Sequence, residues 1–79
     1  MTSQWQIPDV YLEIVLGLVR HNHPLFDAMR KLQESDSGQS PQTFEIHRDI
    51  FLWRQYGYCI VYERMREEKL LILSSLQKM

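Results

Sequence analysis

Arg54-Gln55-Tyr56-Gly57-Tyr58-Cys59-Ile60-Val61-Tyr62-Glu63-Arg64-Met65-Arg66-Glu67-Glu68-Lys69-Leu70-Leu71-Ile72-Leu73-Ser74-Ser75-Leu76 is the stretch that decides the fold of this 79-residue chain. Two apolar, β-branched or aromatic runs flank one compact charged block, the pattern of a β-hairpin with buried strands and a wet turn. A single helix competes with it, because Glu, Arg, Met, Lys and Leu all favour helix. Periodicity decides for the hairpin. On a helix, the charges Arg66 to Lys69 would ring one whole turn and the apolar residues Leu70 to Leu73 the next, leaving no face consistently apolar.

Upstream, Tyr56-Gly57 predicts a turn into the strand Tyr58 to Arg64. Phe44 and Ile46 alternate with Glu45 and His47, and Ile50 to Arg54 forms a second apolar group after Asp49. Thr43 to Arg54 therefore reads as one strand with a bulge or bend near Arg48-Asp49. With the hairpin it makes a three-stranded antiparallel meander. Gln33 to Gln42 has no apolar residue and is rich in Ser, Gly and Pro, which predicts an exposed loop.

Before that loop the period becomes helical. Val10, Tyr11, Ile14, Val15, Leu18 and Val19 share one stripe, with Asp9 as N-cap, and Arg20-His21-Asn22-His23-Pro24 ends the first helix. Leu25, Phe26, Met29 and Leu32 give a second, shorter one. Ser3 to Ile7 alternates polar and apolar until Pro8, so it predicts a short strand. The expected fold is α+β: a short N-terminal strand, two helices, then a three-stranded meander with the helices packed on one face, as one domain over residues 1–79.

Composition bounds the function only loosely. Nine Lys and Arg against ten Asp and Glu leave a net charge of −1, so whole-molecule electrostatics neither draw the chain to nucleic acid nor repel it strongly. A chain of this length buries only about 60–65% of the surface that its unfolded form exposes. The single cysteine, Cys59, excludes an intrachain disulfide, and no basic segment followed by an apolar run opens the chain. No apolar run approaches the roughly 20 residues needed to cross a bilayer. The expected compartment is the cytoplasm.

Trp53-Arg54, then Gly57-Tyr58-Cys59-Ile60-Val61-Tyr62-Glu63, a charged turn, and Lys69-Leu70-Leu71-Ile72-Leu73 resemble the pattern of the RelE/ParE superfamily of small bacterial toxins from toxin–antitoxin modules. The likeness covers about the last thirty residues, and the rest only in element order. It implies a toxin-like component that binds a macromolecular target and is neutralised by a protein antitoxin. The departures are as clear. Ribonuclease members carry a basic residue where Cys59 stands, and catalytic polar groups where this chain has Ile50, Phe51 and Leu52. Many also continue beyond the last strand into basic and aromatic residues, where this sequence reads Gln77-Lys78-Met79.

Arg48 and Arg54 form the best basic pair for gripping a phosphate or an acidic partner, and with Tyr56 and Lys78 they make up the target-binding candidates. The plainer reading pairs Arg54 with Glu63 across the sheet. Tyr58, Ile60 and Tyr62 alternate onto one face, which favours core packing over base stacking for the two tyrosines. His21, His23 and His47 with Cys59 lack a zinc spacing, and Cys59 fits a small buried apolar residue. No Gly-rich phosphate loop, paired-carboxylate spacing or nucleophile elbow is present, so neither cofactor nor metal is expected.

Leu70, Leu71, Ile72 and Leu73 suit a strand buried on both faces, yet two helices cover only one. Something else must cover the other, which marks these four as partner-interface candidates. A cognate antitoxin, another protein or a second copy would all serve. Three functions stay open: the toxin-like component, a non-catalytic interaction or regulatory module on the same scaffold, and a ribonuclease using His47, Arg48, Arg54 or Tyr56 as acid, base or phosphate clamp on free or ribosome-bound RNA.

Overall fold

The structure, a computed structural model, describes residues 4–20 and 22–79. Helix α1, Asp9–Leu16, buries Val15 and packs Tyr11 and Leu12 against the core. Pro8 occupies its N-cap position and supplies no side-chain cap, while Asp9 lies in the first turn, where its charge suits the helix N-terminus. The helix stops at Gly17, short of the stripe's last members, but Val19 N–H still donates to the Val15 carbonyl and Val19 is buried. Helix α2, Pro24–Glu34, opens on proline at its first position, and the Nδ1 of His23 accepts from Leu25 N–H at 3.0 Å as the N-cap. It buries Leu25, Ala28, Met29 and Leu32 at helical spacing.

Four strands follow: β1 Thr43–His47, β2 Ile50–Gln55, β3 Tyr58–Met65 and β4 Leu70–Lys78, in the antiparallel order β1-β2-β3-β4. The expected α+β fold with an N-terminal strand and a three-stranded meander is corrected in two places. The residues expected to form one bent strand are a hairpin, because the chain reverses completely at Arg48-Asp49. Asp49 takes a left-handed φ of 61°, which Asp tolerates better than most residues, and its N–H donates to the Glu45 carboxylate. The N-terminal strand is absent among the described residues; Ser3 lies outside them. Gln6 makes one parallel bridge to Leu70, but the N–H of Trp5 turns away to the Gln33 carbonyl at the end of α2. Strand residues consequently outnumber helical ones.

The pleat sorts the sheet into two faces. The cross-strand rows Trp53-Ile60-Leu76 and Phe51-Tyr62-Leu73 point to the helices. Phe51, Leu71, Val15 and Leu25 are completely buried in the resulting core, with Trp5 and Ile7 closing its edge. The loop expected over Gln33 to Gln42 starts at Ser35, after α2; it exposes Asp36, Ser37, Pro41 and Gln42 but buries Gly38 and is clamped to that edge. Tyr62 donates its hydroxyl to the buried Gly38 carbonyl at 2.7 Å, and the Arg64 guanidinium donates to the Ser37 carbonyl. No helix among the described residues is long and apolar enough to cross a membrane.

Candidate functional site

The rows between those that face the helices must point the other way. Phe44, Leu52 and Val61 stand side by side across β1, β2 and β3. Ile50, Glu63 and Ile72 form the next row, then Met65 beside Leu70; in the opposite direction come Arg54, Cys59 and Gln77. Phe44 is 59% exposed and the bulged Ile46 56%, while Leu52, Val61, Ile50, Ile72, Met65 and Leu70 are half-buried by their strand neighbours alone. No element among the described residues lies over this side. The open face is apolar at its centre and carries Arg54, Glu63, Ser75 and Gln77 around it, and the helices cover only the other face.

The partner-interface candidates divide between those faces. Leu70 and Ile72 lie on the open side, Leu71 is completely buried in the core, and Leu73 packs against the core from within a shallow groove of about 210 Å³ between α1 and β4. Ile14, 51% exposed, lines the same groove, and Val10, Leu16 and Leu18 are about half exposed as well, so α1 and the turn after it present an apolar surface of their own.

The target-binding candidates also divide. Arg48 is exposed in the β1–β2 turn and Arg54 at the far end of β2, about 20 Å away along the strand, so they cannot grip one phosphate together. Arg54, Tyr56 and Lys78 share one end of the sheet: Tyr56 is half exposed in the β2–β3 turn, edge-on to His23 at 6.1 Å, and Lys78 stands opposite Tyr58. Arg54 does not pair with Glu63, because the register sets Arg54 opposite Cys59 and Glu63 opposite Ile50. Tyr58 and Tyr62 are buried. Cys59 is a half-buried free thiol on the open face. His23 serves as a helix cap, His47 is exposed at the end of β1, and His21 lies outside the described residues. No three His, Cys, Asp or Glu side chains converge among the described residues.

The strongest electrostatic constellation is one that composition hid. Arg64 is 8% exposed and continues the inward alternation of Tyr58, Ile60 and Tyr62. A charge at such a position needs a partner. Its Nη2 and Nε reach Asp49 Oδ1 at 2.9 and 3.2 Å, its guanidinium carbon lies 4.9 Å from the Phe51 ring centroid, and Arg66 adds a 3.0 Å bond to the same carboxylate oxygen. The Arg64 hydrogen bond, against some desolvation and with help from Arg66, holds the Asp49 carboxyl below the ordinary carboxylate range. This network locks the β1–β2 turn and the 35–42 loop to β3. A second cleft, about 250 Å³, opens between α2, that loop and β2, lined by Asp27, Lys31, Gln42, Trp53 and Tyr56.

An uncovered apolar sheet face is chemically suited to burial against another protein surface, and the exposed Arg54 and Glu63 give it one charge of each sign. No family model, no curated protein and no solved structure matches the chain.

Proposed function

We propose that this chain is a protein-interaction module and that the open side of its sheet is the binding surface. The observation that carries this reading is the row Phe44-Leu52-Val61, flanked by Ile50, Ile72, Met65 and Leu70, on a face over which no described element lies. Soluble sheets that leave a face to water normally alternate polar residues on it. Contiguous apolar patches beyond a few hundred Å² mark interaction sites.

Leu52→Lys tests it. The substitution puts a charge in the middle of the face without opening a cavity in the core. The folded signal in circular dichroism should persist, while the tagged chain loses whatever protein it retains, its own copy or another. A wild-type chain that retains nothing and stays monomeric when concentrated refutes the reading.

The toxin-like reading stands second. It is favoured by the placement of Arg54, Tyr56 and Lys78 together on one exposed sheet end, beside the residues that carry the RelE/ParE resemblance. On that reading the end surface engages the macromolecular target and the apolar surface takes the antitoxin. Expression alone should arrest growth, and co-expression with the neighbouring gene product should relieve it. Unimpaired growth on expression alone rules this reading out.

A further inference from the structure

Accepting that the open face binds protein, we infer that its partner is a second copy of this chain, packed sheet against sheet about a two-fold axis. The reason lies in where the face keeps its charges. Arg54 on β2 and Glu63 on β3 are exposed, and neither side chain makes an ion pair or hydrogen bond among the described residues. The register pairs Leu52 with Val61, Arg54 with Cys59 and Ile50 with Glu63. The two charges therefore sit at opposite corners of the Leu52–Val61 pair, each two residues along its own strand. From strand spacing and rise, their Cα atoms are about 14 Å apart.

A plus and a minus placed symmetrically about an apolar centre is a self-complementary pattern. A two-fold axis lying in the interface, through the Leu52–Val61 pair and running across the strands, carries Arg54 of one copy over Glu63 of the other, and does so twice. The same operation lays Leu52 and Val61 near their own counterparts. Two packed sheets stand about 10 Å apart, a gap that an arginine and a glutamate reaching from opposite sides span together. To exchange the two corners the axis must tilt about 20° from the cross-strand direction, so the strands of the two copies cross at roughly 40°, near the aligned packing class of β-sandwiches.

Size and charge agree with this occupant. Four strands about 20 Å long present roughly 400 Å² per copy in projection, about 800 Å² over both copies, the size of a weak, transient contact rather than a permanent interface. A net charge of −1 per copy sets up little long-range repulsion between two identical chains.

Charge reversal tests the geometry, because each single change acts twice in a symmetric dimer. Sedimentation velocity should show the wild type in a concentration-dependent monomer–dimer equilibrium. Arg54→Glu and Glu63→Arg should each weaken self-association by at least about tenfold, since like charges then face each other at both corners. The double variant R54E/E63R should recover it to within about threefold. The two single variants, each monomeric alone, should pair with one another when mixed. Circular dichroism confirms folding in each case, and both residues are exposed and unpaired among the described residues. Single variants that dimerise like the wild type, or a double variant and a mixture that both stay monomeric, overturn the arrangement. A wild type that is monomeric throughout but retains another protein through Leu52 overturns the second copy and leaves the interaction module standing. Self-association indifferent to Leu52→Lys overturns both.

Discussion

Replacing Tyr62 with phenylalanine removes one oxygen atom and leaves the ring, so it removes one of the two side-chain bonds that, among the described residues, tie the 35–42 loop to β3, the other being the Arg64 bond to the Ser37 carbonyl. Tyr62 is 1% exposed, its ring stacks on Phe51 with centroids 5.3 Å apart, and its hydroxyl donates to the Gly38 carbonyl at 2.7 Å. Gly38 is itself buried. Phenylalanine keeps the stacking but leaves a buried carbonyl without that donor, a loss of about 1–3 kcal/mol. In a domain of this size each 1 kcal/mol moves the melting temperature by about 4–8 °C, so a loss near 2 kcal/mol lowers it by roughly 8–16 °C. Urea unfolding followed by tryptophan fluorescence should show a lower midpoint with an unchanged slope, because the surface exposed on unfolding is the same. Tyr56→Phe is the control, half exposed and with no side-chain hydrogen bond among the described residues. A Tyr62→Phe loss under about 0.5 kcal/mol, the range of ordinary surface changes, would refute the claim that this hydroxyl holds the loop.

The same phenol yields a pH test. Burial pushes Tyr62 up to about 12, with Thr43 and Arg64 drawing it slightly the other way, against about 10 in an unfolded chain. A raised phenol favours the neutral folded form, so its contribution is intact below about pH 10 and declines as pH rises towards about 12. The stability of Tyr62→Phe should lack that alkaline decline. Gly38 sits at φ 68°, and a Cβ there would lie 3.3 Å from the Trp5 ring and 3.4 Å from Leu71, whereas Gly57, at φ 79°, faces open space. Gly57→Ala should cost about 1–2 kcal/mol from backbone conformation alone, and Gly38→Ala clearly more, read as the difference between two unfolding midpoints. Asp49→Asn keeps a residue that tolerates the left-handed turn but removes the charge. Because Arg64 and Arg66 depress the Asp49 pKa, ionised Asp49 favours folding above about pH 4 and ceases to as pH falls through the depressed value. Melting temperatures of wild type and Asp49→Asn should thus converge on acidification; curves that stay parallel count against the network.

How far the sequence could be read depended on whether the decisive contact was local. The β3–β4 hairpin and the Tyr56-Gly57 turn were legible because charges and glycine punctuate apolar runs. The β1–β2 hairpin was not, because Arg48-Asp49 carries no glycine or asparagine. What holds its reversal is the Arg64 and Arg66 bonds to Asp49, from residues 15 and 17 positions away. Trp5 and Ile7 alternate as a strand does, but the Trp5 N–H finds its acceptor on α2, and composition contains no sign of that. For the site, the doubly apolar run Leu70 to Leu73 points to two apolar faces, and the structure divides its members between the core side and the open side. Its members did not identify that face. The resemblance sets Ile50, Phe51 and Leu52 where catalytic polar groups would stand, and only the observed register sets Leu52 between Phe44 and Val61.

The sheet has two ways of meeting another chain, by its edges or by its open face, and its strands discourage the first. Both outer strands are irregular: Ile46 is an extra residue in β1 opposite β2, and Ser74 an extra residue in β4 opposite β3. Bulges twist an edge and interrupt the regular spacing of donors and acceptors that an added strand would need. The start of β4 is further occupied by Gln6, whose N–H and carbonyl bond Lys69 and Leu71. Charged Glu45 and the neighbouring His47 and Arg48 line the other edge. The central strands β2 and β3 carry no such interruption between them: their pairing from Ile50↔Glu63 to Gln55↔Tyr58 is continuous. Regular backbone thus underlies the part of the open face that holds Leu52, Val61, Arg54 and Glu63, and irregular backbone surrounds it. A surface meant to receive a flat partner needs its flat region at the centre, and the apolar pair with its two flanking charges lies there.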